Sequence, residues 1–221
     1  DEWEEPYATD GQARFIERIY RDSSTLAMNL AAEADSLGIR VATASDGKLR
    51  VYSWISGGGT SPDFTCVTQY VDSKGRIRAF EGVPIPDGVA YGAILGILRI
   101  DSIGKDGIYL LDVYNKSSSR REHSDLVAVV IDADTFVLGP AFRWGGKTYA
   151  SLSVEHEVSG QYYAAEEGSG WIDFFQYVPE TQEIRIPMVD DTYSLTGRYR
   201  IFRYDGTYFS YIGEGASIYP L

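Results

Sequence analysis

Hydrophobic positions follow a helical period before Gly38 and strand-like runs after it. Thr9 and Gln12 have the spacing of a capping box, which predicts the start of a helix. Two apolar stripes at helical spacing follow, made of Phe15, Ile16, Ile19 and Tyr20 and then of Leu26, Leu30, Ala34 and Leu37. We therefore expect residues 9–37 to form one broken helix or two short ones, ended by Gly38.

The rest of the chain consists of short runs rich in β-branched and aromatic residues, separated by turn residues. This pattern is typical of antiparallel β structure. The predicted strands are residues 48–55, 64–71, 76–80, 108–115, 125–132, 148–158, 171–178, 183–190, 198–205 and 207–213, with shorter pieces within 91–100 and 137–144. Asp205-Gly206 and Gly145-Gly146-Lys147 are expected to form hairpin turns.

Helical segments do not alternate with these strands, so a doubly wound parallel sheet is not expected. The predicted fold class is mostly β (α+β): an antiparallel meander that forms a barrel, a sandwich or a partial propeller, with an N-terminal helical segment. We expect residues 1–8 to be a flexible N-terminal segment and residues 9–221 to be a single β-rich domain. Within that domain, residues 9–37 are predicted to be helical and residues 38–221 to be antiparallel β.

The run SWISGGGTSPD places three consecutive glycines, Gly57 to Gly59, between two predicted strands. A phosphate-binding loop needs a lysine and a hydroxyl residue after its glycines and then a helix. Here no lysine follows, and Asp63 would repel a phosphate. The pattern favours a hairpin or wide loop, although bare glycine backbone also admits a ligand.

Composition narrows the classes of partner. The net charge of −12 argues against nucleic acid and against an anionic membrane surface. No apolar run approaches the roughly 20 residues that span a bilayer, so no transmembrane segment is predicted. The single cysteine, Cys66, rules out an intramolecular disulfide and a thiolate metal cluster, and we expect it to be a small buried side chain.

The polar, acidic start DEWEEPYATDG has no initiator methionine. We expect a mature chain from which a signal peptide or lipoprotein leader has been removed, with any lipid anchor lost with that leader. The predicted location is extracytoplasmic: the periplasm, the outer membrane as a lipoprotein, or the secreted fraction.

The passages GKLRVYSWISGGGTSPDFTCVTQY, IYLLDVYNKSSS and GRYRIFRYDGTYFSYIG occur in order over most of residues 46–213. In these passages the chain resembles an uncharacterised group of secreted proteins and lipoproteins from gut-type Gram-negative bacteria. The resemblance implies export and a β-rich fold. It implies no activity and no catalytic residue.

Two histidines leave little room for metal or general-base chemistry. His123 lies in the polar run KSSSRREHSD and is expected to be solvated. His156 lies in VEHEV, where strand alternation puts Glu155 and Glu157 on one face and the imidazole on the other, so the three do not converge on a metal. We predict no metal site and no cofactor.

Paired carboxylates are the catalytic chemistry that the sequence best accommodates, because glycoside cleavage uses one acid and one base or nucleophile. The weak catalytic candidates are Glu155, Glu157, Asp190 and Asp191. Glu166 and Glu167 fit a solvated loop better. Ser169 lacks the strand-turn-helix setting of a nucleophile elbow.

Aromatic content is the most informative feature, with 17 tyrosines, nine phenylalanines and four tryptophans. Aromatic faces pack against sugar rings and apolar side chains, while tyrosine hydroxyls donate hydrogen bonds. Core filling and cross-strand pairing account for most of these residues. The expected ligand-binding surface consists of Tyr52, Trp54, Trp144 and Trp171.

Three hypotheses for function follow. The leading one is a non-enzymatic extracytoplasmic module that binds a glycan or protein partner. The second is a carboxylate-based hydrolase of an extracellular polymer. The third is a structural component of a cell-envelope assembly, in which the N-terminal helix docks on a partner. A hydrolase needs a pocket with two carboxylates, a binding module needs exposed aromatic rings, and an assembly component needs a broad apolar patch.

Overall fold

The computed structural model describes residues 9–57, 63–85, 88–90, 92–100, 107–116, 118–132, 135–157 and 174–216. Helix α1 is Asp10–Arg21, a 3-10 helix is Ser23–Ala27, and helix α2 is Ala31–Ser36. The strands are β1 Arg40–Thr43, β2 Leu49–Ile55, β3 Phe64–Val71, β4 Ile77–Glu81, β5 Val83–Ile85, β6 Gly88–Ala90, β7 Ala93–Ile100, β8 Ile108–Lys116, β9 Arg121–Asp132, β10 Thr135–Leu138, β11 Phe142–Trp144, β12 Lys147–Tyr149, β13 Ser151–Glu157, β14 Gln176–Val178, β15 Glu183–Val189, β16 Leu195–Tyr204 and β17 Phe209–Ala216.

The N-terminal helical segment begins at the predicted capping box. The Gln12 amide N–H donates to Thr9 Oγ1 over 3.3 Å, and the Thr9 amide N–H donates to Gln12 Oε1 over 2.9 Å. These bonds satisfy two polar groups that a helix start otherwise leaves unpaired. Gly38, with a φ of 68°, ends the segment in the left-handed region that favours glycine. The predicted broken helix over residues 9–37 is confirmed.

The described strands form three larger sheets and one two-stranded sheet, and all of their strand pairs are antiparallel except one. The first sheet has the order β1-β2-β3-β4. The second has the order β10-β9-β8-β7, with β13 also paired to β9. The third has the order β12-β11-β17-β16-β15-β14, and its parallel pair is β11 with β17. The short strands β5 and β6 pair with each other.

Hydrophobic packing stacks these elements in four layers. Helical residues such as Phe15 and Ile19 pack on Tyr52 and Trp54 of the first sheet. The opposite face of the first sheet packs on the second sheet. The other face of the second sheet packs on the third sheet. A mostly β sandwich with an N-terminal helix is therefore the observed architecture, and none of the sheets closes into a barrel among the described strands.

Strand β8 shows why the middle layer is so apolar. Its alternate residues enter two cores: Leu111 and Val113 face the first sheet, while Leu110 packs with residues of the third sheet. Burial of each such side chain contributes about 1.5–3 kcal/mol. A continuous apolar run is therefore what a strand covered on both faces requires.

Several details differ from the predicted boundaries. The run at 148–158 is not one strand, because Ala150 separates β12 from β13. Strand β9 begins at Arg121, so His123 lies in a strand and is half-buried, which corrects the prediction of a solvated loop.

Residues 1–8 lie outside the described residues. No helix in the described part of the chain has the length and apolar character needed to cross a membrane.

Candidate functional site

Two of the predicted ligand-binding aromatics lie beneath the helices. Tyr52 has 0% of its surface exposed and Trp54 has 6%. The ring of Tyr52 packs edge-on against that of Phe15 in α1, with 5.7 Å between centroids. The prediction that Tyr52 and Trp54 present aromatic surface is wrong, because the apolar stripe of α1 covers this face of the first sheet.

Trp144 is exposed as predicted, and a tight hairpin places it. The turn between β11 and β12 is made by Gly145 and Gly146, whose φ angles of 56° and 76° favour glycine. Trp144 pairs with Lys147 and Phe142 with Tyr149, so Trp144 and Tyr149 share one face of the hairpin. Each of these two side chains is 38% exposed.

This face of the hairpin opens onto a cleft of about 190 Å³, here called the Trp144 cleft. Strand β13 of the second sheet forms one side, and strands of the third sheet form the other. The lining residues are Trp144, Tyr149, Ser151, Leu152, Ser153, Ile186, Arg200 and Phe202. The cleft therefore lies where the core between the second and third sheets opens to solvent.

Ring contacts hold Trp144 in place. Its ring centroid lies 5.7 Å from that of Tyr211 and 6.4 Å from that of Phe202, the latter in an edge-to-face arrangement. Phe202 is itself buried in the core between the second and third sheets. Contacts of this kind contribute about 0.5–1.5 kcal/mol per pair beyond the buried area. A rigid aromatic wall, anchored in the core, therefore forms one side of the cleft.

Arg200 supplies the positive charge of the cleft. Its guanidinium carbon lies 4.9 Å from the Trp144 ring centroid, a cation–π contact. Its cross-strand partner Glu214 instead accepts from Arg198 Nη2 over 2.5 Å. Within the described ranges, no carboxylate forms an ion pair with Arg200.

The four candidate catalytic carboxylates lie outside the lining of the Trp144 cleft. Glu155 lies 3.8 Å from Arg121 Nη1. Ser194 links two of the others, because its hydroxyl donates to Glu157 Oε2 over 3.5 Å and its backbone N–H donates to Asp190 Oδ1 over 3.0 Å. Asp191 is exposed in the turn beside Asp190.

Asp190 shapes that turn. Its Oδ1 accepts from the Thr192 hydroxyl over 2.6 Å and from the Thr192 backbone N–H over 2.8 Å. These hydrogen bonds, the Thr192 hydroxyl first, lower the pKa of Asp190 below its usual value. A carboxyl with a lowered pKa is poorly suited to donate a proton as a general acid.

The two histidines lie in neighbouring strands but on opposite faces. His123 Nε2 lies 3.1 Å from Asp125 Oδ1, and this hydrogen bond raises the pKa of His123. His156 is 2% exposed, stacks on Phe174 with 4.7 Å between centroids, and lies 3.9 Å from Glu122 Oε2. As predicted, strand alternation separates His156 from its neighbours Glu155 and Glu157.

Burial shifts the pKa of two further side chains in the interior. Burial raises the pKa of Cys66 to about 12, which keeps the thiol protonated, and its predicted burial is confirmed. Burial raises the pKa of Asp112 to about 8, with Arg40 opposing the shift and Asp125 reinforcing it. Asp112 Oδ1 has no hydrogen-bond partner among the described residues.

Several predicted positions lie outside the described residues: Trp171, Glu166, Glu167 and Ser169. The glycine run is described only at Gly57, where the Ser56 N–H donates to the Asp63 carbonyl over 2.8 Å. Strands β2 and β3 pair up to Ile55 and Phe64, so the predicted hairpin is confirmed. In the part of the chain described, no three His, Cys, Asp or Glu side chains are placed to hold a metal ion.

Of the cleft residues that sequence reasoning missed, Tyr149 and Arg200 matter most for the chemistry of the cleft. The available signal was the alternation of arginine with aromatic residues in RYRIFRY, together with the position of Tyr149 just after the glycine turn. A comparison of the chain with protein-family models, curated proteins and solved structures found no match.

Proposed function

We propose that this protein is an extracytoplasmic binding module that recognises a glycan in the Trp144 cleft. The observation that carries the proposal is a pair of aromatic side chains, Trp144 and Tyr149, each 38% exposed on one face of a rigid hairpin. The extracytoplasmic location rests on the resemblance to exported proteins described above.

The shape and chemistry of the cleft suit a saccharide. Sugar rings present apolar C–H faces that pack on aromatic rings, and hydroxyls that need hydrogen-bond partners at the edges. Trp144 and Tyr149 offer the first, while the Arg200 guanidinium offers the second. Because ring contacts hold Trp144 in place, little side-chain entropy is lost when a ligand binds.

The hydrolase hypothesis has less support. Its four candidate carboxylates do not line the Trp144 cleft, and Asp190 is engaged in its own turn. A glycosidase requires two carboxyl groups across one scissile bond. The assembly hypothesis requires an exposed apolar face on the N-terminal helix, yet Phe15 and Ile19 of α1 are buried against the first sheet.

The test is a glycan-array screen of the purified chain, followed by titration calorimetry with any saccharide that binds. Trp144→Ala is expected to abolish binding, and Tyr149→Ala is expected to weaken it at least tenfold. The matched control is Tyr20→Ala, which removes an aromatic residue that is 46% exposed on helix α1. Its affinity should equal that of the wild type.

Circular dichroism of each variant separates loss of binding from loss of structure. If no saccharide binds, or if Trp144→Ala binds as well as the wild type while folded, the proposal is wrong. The proposal is also overturned if a protein ligand binds the wild type and the Trp144→Ala variant equally well.

A further inference from the structure

We infer that the Trp144 cleft is specific for an acidic saccharide, with Arg200 binding the sugar carboxylate. This inference rests on the proposed function and adds the chemical class of the ligand. The charge complementarity of the cleft carries it: among the described residues, Arg200 is the only cation in the lining, and no carboxylate lies there.

Arg200 holds its charge without an acidic partner. In the described part of the chain, its contact is the face of Trp144, 4.9 Å from guanidinium carbon to ring centroid. The cation–π contact involves no oxygen acceptor, so the guanidinium keeps N–H donors for a ligand. A carboxylate accepts two of these donors in parallel, the geometry that distinguishes arginine from lysine.

The neighbouring charges support this assignment. Glu214 is opposite Arg200 in the strand register, yet its carboxylate accepts from Arg198 over 2.5 Å. Glu183 binds Arg203 and Arg185 in the same way, with distances of 2.7 and 3.3 Å. Arg198, Arg203 and Arg185 therefore have acidic partners, whereas Arg200 has only an aromatic ring among the described residues. Cleft-lining Arg200 is the arginine of β16 that remains available to an anion.

The net charge of −12 opposes an acidic ligand at long range. Physiological salt screens such repulsion beyond about 8 Å, so groups in contact decide the affinity. An acidic sugar also fits the rest of the lining. The carboxylate of such a sugar is attached directly to its ring. When Arg200 binds that carboxylate, the C–H face of the same sugar ring therefore lies beside Trp144 and Tyr149.

Two pairs of oligosaccharides test the inference by titration calorimetry. Oligogalacturonate is compared with its fully methyl-esterified form, and sialyllactose is compared with lactose. In at least one pair, we expect the acidic member to bind at least tenfold more tightly. Arg200→Gln should remove that preference and leave the affinity for the neutral member within about twofold, since Trp144 and Tyr149 remain. Arg200→Lys should restore the charge but only part of the preference.

Arg203→Gln is the matched control, because Arg203 is three residues away on β16 and binds Glu183, which lies outside the cleft lining and keeps Arg185 as a partner. Its preference should equal that of the wild type. The inference is overturned if the wild type binds acidic and neutral members equally, or if Arg200→Gln weakens both equally. In either case, loss of neutral-sugar binding in Trp144→Ala would leave the proposed function standing. If neither pair binds, the inference is overturned, and the glycan array decides the proposed function separately.

Discussion

Two pairs of aromatic side chains in this protein each share one face of a strand or hairpin, but their environments are opposite. On β2, Tyr52 and Trp54 alternate with smaller residues, and helix α1 covers them. On β11 and β12, Trp144 and Tyr149 also share one face, but each remains 38% exposed at the mouth of a cleft. Alternation therefore predicts which side chains share a face, whereas a distant element decides whether solvent reaches that face.

The largest expected effect is a difference in the stability lost when an aromatic side chain is removed from each of the two faces. Tyr52→Ala should reduce the free energy of unfolding by about 3–5 kcal/mol, because it leaves a cavity beneath α1. Trp144→Ala should cost only about 1–2 kcal/mol, since its ring is partly in water already. Urea denaturation followed by circular dichroism measures both. Equal losses for the two variants would show that the covered and open faces do not differ energetically.

The second prediction concerns a carboxyl group buried in the closed interior. Asp112 has its pKa raised to about 8, chiefly by burial. Between about pH 4 and pH 8 the folded protein keeps this proton while the unfolded chain releases it, so the free energy of unfolding falls as pH rises. Asp112→Asn removes that slope.

The measurement is urea denaturation of wild type and Asp112→Asn at pH 5 and pH 8.5. The stability of the variant relative to the wild type should increase by a few kcal/mol between the two values, on the order of 1.4 kcal/mol per unit of pKa shift. Exposed Asp191→Asn serves as the control and should show no such change. A difference that is the same at both pH values would contradict a neutral buried carboxyl.

The smallest expected effect concerns helix α1, which covers Tyr52 and Trp54 of the first sheet. Thr9→Ala removes the side chain that caps α1 and should reduce stability by about 1 kcal/mol. Thr9→Ser keeps the hydroxyl and should match the wild type. Tryptophan fluorescence in urea measures both midpoints. If Thr9→Ala is as stable as Thr9→Ser, the cap contributes nothing to the helix that covers Tyr52.

Local signals explain why much of the fold was predictable. The capping box at Thr9, the stop at Gly38 and the turn at Gly145 and Gly146 each act over a few residues. The layers were not predictable in the same way. Leu110 and Leu111 are adjacent and equally apolar, yet they enter different cores because β8 has a sheet on each side.

The candidate site was predicted only in part for the same reason. Trp144 was identified from its residue type, but Arg200 becomes informative only when β16 brings it beside Trp144. Strand β17 lies between β11 and β16, so this contact depends on a pairing between distant parts of the chain. The arginines of β16 look alike in sequence, and the structure distinguishes them by their partners: Arg198 binds Glu214, whereas Arg200 contacts Trp144.

The position of β17 also has a consequence for biosynthesis. It is the last described strand, yet it pairs with β11 on one side and β16 on the other. A ribosome therefore releases the hairpin that bears Trp144 long before the strand that connects it to the third sheet. The helices and the first sheet can assemble during translation, whereas the cleft forms only once the end of β17 has emerged. Ribosomes that stop before residue 209 would yield chains with a folded first sheet and no Trp144 cleft.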